Sequence, residues 1–102
     1  MKYFPVALAC ALLVVSGWAR AQAPDGLRGH SLAPACAACH GVNGRAQPGY
    51  PSLAGVSQAV LLRKLLDFKS GARPGTVMPQ MAKGYSDAQL AALAAYFSGQ
   101  KK

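Results

Sequence analysis

The sequence predicts an all-α protein of about three helices joined by two long loops. Two segments carry apolar residues at helical spacing, and no stretch alternates between polar and apolar residues as a half-buried strand does. Residues 41–55 and 73–83 are rich in glycine and proline, which indicates loops. Such long loops are uncommon in a small domain, so we expect them to wrap around a large apolar group.

The first two helices are predicted from different kinds of signal. Residues 27–38 form the weaker candidate, because Gly29 and Pro34 interrupt it. A clear helical pattern begins at Ser57 and stops at Gly71, which suits a left-handed terminating position. The face expected to be covered consists of Val60, Leu61, Leu62, Leu65, Leu66 and Phe68.

The third helix has the sharpest boundaries. It begins with Ser86-Asp87-Ala88-Gln89, a capping-box pattern, and ends at Gly99. Its buried stripe is expected to consist of Leu90, Leu93, Ala94 and Phe97.

Residues 1–21 have the pattern of a secretory signal peptide. Lys2 is followed by an almost wholly apolar stretch, residues 6–15, and then by Ala19-Arg20-Ala21, which is typical of a cleavage site. An apolar run of about ten residues is shorter than the roughly 20 that a membrane-spanning helix needs. We therefore expect export to the periplasm and a mature domain, residues 22–102, without a membrane span. Cleavage after Ala23 is the alternative.

The charge of the mature segment indicates a protein partner. Without Lys2 and Arg20, nine of the eleven Lys and Arg remain against three Asp, so the net charge is +6 (9 − 3). The positive residues are scattered along the chain, which argues against nucleic-acid binding and favours steering toward an acidic protein partner. Four positive residues are expected to lie near the large apolar group, where they are either docking contacts or ordinary solvated charges: Lys64, Lys69, Arg73 and Lys83.

The Cys36-Ala37-Ala38-Cys39-His40 run is the C-x-x-C-H signature of c-type haem attachment. Two thiols separated by two residues can each add to one vinyl group of the macrocycle, and His40 then offers an imidazole nitrogen to the iron. A domain of 81 residues (102 − 21) is also only marginally stable without a covalently bound cofactor of this kind.

Three competing assignments of the two cysteines fit the sequence less well. A thioredoxin-like redox pair needs a βαβ context, and no strand is visible in the sequence. A zinc site needs four ligands, and only His30 remains to supply the fourth. A simple disulfide explains neither His40 nor the loops.

The second axial ligand determines what the haem does. Met78 and Met81 are the downstream candidates, because no histidine follows His40. Met78 lies in a loop with glycine and proline, whereas Met81 is expected to pack as core or against the haem edge. Ligation by His30 and an iron with an open position are two further candidates. A closed site with His40 and Met78 suits an electron carrier better than an enzyme, and it raises the reduction potential relative to two histidines.

Four segments resemble small class I cytochromes c of the bacterial branch with one or two haems: CAACHGVNG, YPSLAG, LLDFKSG and AKGYSDAQLAALAAYFSGQ. The resemblance extends over nearly all of residues 22–102. The resemblance implies the class I cytochrome c fold with one covalent haem c, and it places the axial methionine at Met78, eight residues before Ser86. It also implies that the Pro51 carbonyl orients the imidazole of His40, and that Gly29 is crossed by the Tyr96-Phe97 pair.

FKSG followed by TVMPQMAKGYS is similar, more narrowly, to the cytochrome subunit of flavocytochrome c sulfide dehydrogenase. This similarity implies a haem subunit that accepts electrons from a flavin-containing sulfide dehydrogenase. The better-known subunit carries two haems, whereas this sequence has one C-x-x-C-H motif. The alternatives are a freely diffusing periplasmic shuttle to a terminal oxidase or reductase, and a haem enzyme or gas sensor with an open iron.

Overall fold

The computed structural model describes residues 25–102, and no β-strand occurs in that range. The predicted signal peptide and the predicted start of the mature domain at residue 22 lie outside the described residues. The helices are α1 (Asp25–Leu32), α2 (Pro34–His40), α3 (Gln58–Ser70), α4 (Met78–Lys83) and α5 (Asp87–Ser98), with a 3-10 turn at Val42–Gly44. The predicted all-α class is confirmed.

Helix α5 is the central element of the core. The four residues of its predicted stripe are buried, together with Ala92. The predicted capping box is present: the Ser86 hydroxyl accepts a hydrogen bond from the Gln89 amide at 3.1 Å, and the Gln89 side chain accepts one from the Ser86 amide at 2.9 Å. These two bonds satisfy backbone donors that would otherwise lack partners at the helix start.

Helix α1 crosses α5 at Gly29, which is buried in the contact. A Cβ atom built on Gly29 would lie 2.5 Å from the Cβ of Tyr96 and would overlap the carbonyl oxygen of Ala92. The two backbones therefore approach more closely than any side chain at this position would allow, which is the close crossing implied by the family resemblance.

Helix α3 packs against both α4 and α5. Leu61 is its buried residue, and Gly71 ends it in the left-handed conformation, with φ of 87°. Val60 is 43% exposed, so the covered face is narrower than the sequence predicts.

Two details of the sequence-based helix assignment are wrong. The single helix over residues 27–38 is divided at Ala33, and α2 begins at Pro34. The loop over residues 73–83 becomes helical at Met78, where α4 begins with Pro79 in its first turn. Both differences have one physical reason: proline is unfavourable inside a helix, but favourable in a first turn, where its missing N–H is not needed.

Candidate haem site

Helix α2 carries the C-x-x-C-H motif and ends with its histidine. Cys36 is half-buried against the hydrophobic core, Cys39 is exposed, and no disulfide joins them. Burial raises the pKa of the Cys36 thiol. Burial, and then the charge of the nearby Cys36, raises the pKa of the Tyr85 hydroxyl. Neither thiol is used in a disulfide, as covalent attachment requires; Cys36 lies on the core side and Cys39 on the solvent side.

His40 is the buried polar side chain of the described core, 9% exposed. Its Nδ1 lies 2.7 Å from the carbonyl oxygen of Pro51. A carbonyl only accepts hydrogen bonds, so Nδ1 carries the hydrogen, and in the neutral ring the lone pair lies on Nε2. The same arrangement orients imidazole ligands in metal proteins.

Glycines place the Pro51 segment beneath His40. Gly41 ends α2 with φ of 80°, and Gly44 turns the chain again with φ of 79°. The Gly44 carbonyl accepts the Leu53 amide at 2.8 Å, which ties the two ends of the segment together. A Cβ on Gly44 would lie 2.8 Å from Cδ1 of Phe97, so the turn is pressed against α5.

The donor set agrees with haem attachment better than with a protein-only metal site. Within residues 25–102, no three His, Cys, Asp or Glu side chains come together as a group that could hold a metal ion. This disfavours zinc. The absence of strands from the same residues disfavours a thioredoxin-like pair.

Half-buried leucines pack beside the core and would gain burial against a macrocycle: Leu53, Leu62, Leu65 and Leu66. The free thiols, the oriented imidazole and these half-buried leucines together fit a haem group.

The methionine candidates lie on one short helix. Met78 is the first residue of α4 and Met81 follows one turn later; both are half-buried. The preference for Met78 over Met81 stays a prediction.

His30 takes part in a network of side chains. It is exposed on α1, and its Nδ1 lies 3.4 Å from the Tyr96 hydroxyl. That hydroxyl donates to Oδ1 of Asn43 at 2.6 Å. Asn43 lies three residues after His40, in a left-handed conformation with φ of 55°. This network joins α1, α5 and the exit from α2, and no local sequence signal predicts it.

An all-helical domain with these thiols, this imidazole and these half-buried leucines defines the class of c-type haem proteins. The family model for cytochrome c matches residues 27–101. Cytochrome c4 of Azotobacter vinelandii is 40% identical over 99 residues, 87% of this chain and 47% of the relative. The cytochrome subunit of sulfide dehydrogenase from Chlorobaculum tepidum is 40% identical over 75 residues, 74% of this chain and 68% of the relative.

A solved structure shares the fold as well as the sequence. Reduced cytochrome c4 from Pseudomonas stutzeri aligns with a TM-score of 0.69 at 39% identity, over 78% of this chain and 47% of that one. The chain therefore belongs to the cytochrome c family, whose cofactor is covalently bound haem c. It spans about half the length of the cytochrome c4 relatives it matches. None of the helices within residues 25–102 is long and apolar enough to cross a membrane.

Proposed function

We propose that this chain is an electron-transfer protein with one haem c, attached through Cys36 and Cys39 and bound at the iron by His40 and Met78. The family match supports the cofactor, and the one C-x-x-C-H motif supports the count of one. When bound, the haem supplies an iron that alternates between the ferrous and ferric states.

The hydrogen bond from His40 to the Pro51 carbonyl is the observation that carries this proposal. It fixes the imidazole in the tautomer whose Nε2 can bind iron, and it increases the basicity of that nitrogen. Burial of the ring also limits its freedom to turn. A ligand oriented in this way moves little between oxidation states, which suits electron transfer.

Met78 is proposed as the second ligand because it opens α4 directly after the irregular segment 71–77. The purified ferric protein should show the weak far-red band that methionine sulfur gives a c-type haem. Met78→Ala should abolish this band, whereas Met81→Ala, on the same helix and also half-buried, should retain it. The reverse pattern would identify Met81 as the iron ligand. A wild-type protein without the band would contradict methionine ligation.

The proposed partner is a flavin-containing sulfide dehydrogenase, which would pass electrons to this haem. Similarity to the Chlorobaculum tepidum subunit supports this choice. The charge distribution supports a partner whose docking surface is acidic. Within residues 25–102, Arg28 and Lys69 pair with acidic side chains, which leaves seven of nine Lys and Arg (9 − 2) outside ion pairs.

Affinity purification of the tagged protein from its own cells tests the partner. A stable subunit should bring down a flavin-containing polypeptide that reduces the haem when sulfide is added. Isolation as a monomer that exchanges electrons with a terminal oxidase or reductase, without a bound flavoprotein, would instead support the freely diffusing shuttle.

We also propose that residues 1–21 are removed on export to the periplasm. The mass and N-terminal sequence of the periplasmic protein should correspond to residues 22–102 plus one haem. Retention of Met1, or a mass without haem, would contradict this part of the proposal.

A further inference from the structure

The segment between α3 and α5, residues 71–86, carries Met78. Its first residues contact the last turn of α3, and so does Asp87, which directly follows it. Two basic side chains that the sequence offered as docking contacts, Lys69 and Arg73, have partners inside the chain instead. Along the chain, one partner, Phe68, precedes α4 and the other, Asp87, follows it.

Phe68 supports the part of the segment that precedes Met78. The guanidinium carbon of Arg73 lies 5.5 Å from the centroid of the Phe68 ring, and the Arg73 amide donates to the Asp67 carbonyl at 3.1 Å. A Cβ on Gly75 would lie 3.2 Å from Cε1 of Phe68 and 3.1 Å from Cδ of Pro79. The Phe68 ring, Gly75 and Pro79 are therefore in close contact, and Pro79 follows Met78 directly.

Lys69 contacts the residue that directly follows the segment. Its Nζ lies 2.8 Å from Oδ1 of Asp87, the first residue of α5. This contact brings the end of α3 next to the start of α5 and closes residues 71–86 into a loop. Asp87 is 77% exposed and Lys69 is 31% exposed, so the ion pair is open to screening by salt.

We propose that Lys69 and Arg73 are positioning residues that hold the Met78 segment in place for iron ligation. This inference rests on the proposed His40 and Met78 ligation. A surface ion pair and an exposed cation–aromatic contact contribute little to global stability. They have a larger relative effect on the local opening of a short segment, because local opening requires less free energy than global unfolding.

The test compares charge-removing variants of the haem-loaded protein with matched controls. Lys69→Gln removes the ion pair, and its control is Lys64→Gln, on the same helix and outside any ion pair among residues 25–102. Arg73→Gln removes the contact with Phe68, and its control is Arg63→Gln. The far-red band of the ferric protein is followed as the temperature rises, beside far-UV circular dichroism of the same samples.

Each positioning variant should raise the fraction of protein without methionine ligation by about twofold to fivefold at a fixed temperature below global unfolding. The circular dichroism should be unchanged there, and the two controls should match wild type. At about 0.5 M salt the fraction of wild-type protein without methionine ligation should approach that of Lys69→Gln, because salt screens the ion pair. Hydrogen exchange at the Met81 and Gly84 amides, which bond to the carbonyls of Val77 and Met81, should accelerate in the variants.

Loss of the band at the same temperature in variants, controls and wild type would overturn the inference. Loss that occurs only together with the circular dichroism signal would show an ordinary structural role and would overturn it too. A wild-type protein without the band at any temperature would reject the proposed ligation itself, and the positioning role with it.

Discussion

Replacing Gly29 by alanine would place a methyl group between α1 and α5. The new Cβ would lie 2.5 Å from Cβ of Tyr96 and would overlap the backbone carbonyl of Ala92. Neither obstacle can rotate away, since one is backbone and the other is the first atom of a side chain. The helices would have to separate. The expected cost in the free energy of unfolding is about 3 kcal/mol, the upper end of the usual range for overpacking.

Alanine also gains about 1 kcal/mol over glycine in helix propensity, so the expected net loss in the free energy of unfolding is about 2 kcal/mol. For a small protein this corresponds to a urea midpoint lower by about 1–2 M. Gly26→Ala, on the same helix, is the matched control, because nothing lies within 4 Å of a Cβ at that position. Its midpoint should equal or exceed that of the wild type. Equal midpoints for the two variants would refute the close crossing.

Three further changes test separate parts of the structure. Ser86→Ala removes the capping hydroxyl of α5 and should lower the free energy of unfolding by about 1 kcal/mol, measured in urea. Tyr96→Phe removes the hydroxyl that donates to Asn43; it should lower the free energy of unfolding by about 1 kcal/mol and leave the haem spectrum unchanged. The double variant Cys36→Ala, Cys39→Ala, made without haem, should lose most of its helical circular dichroism, because the half-buried leucines lose their macrocycle. A native-like helical spectrum would contradict that last expectation.

The sequence predicts best those features that depend on local signals. The capping box at Ser86, the stripe of α5 and the left-handed glycine at position 71 follow from spacing and residue type alone, and the structure contains them. The C-x-x-C-H motif is likewise local, and it indicated the cofactor of the family to which the chain belongs.

The sequence does not predict very short helices or contacts between residues that lie far apart in the chain. Helix α4 has six residues, too few for a periodic pattern, and its proline indicated a loop. The hydroxyl of Tyr96 reaches an asparagine 53 positions earlier in the chain, a contact that only the tertiary fold creates. The basic residues Lys69 and Arg73 looked like free surface charges because their partners come together only when α3, the following segment and α5 pack.

Carbon monoxide binding to the ferrous protein tests the central claim most directly, because it reports whether the iron has an open position. With His40 on one side of the haem and Met78 on the other, the visible spectrum at neutral pH should be unchanged after carbon monoxide is added. The Met78→Ala variant should form the adduct, which shows that the reagent reaches the iron. An adduct in the wild type would indicate an open iron and would contradict the electron-carrier proposal.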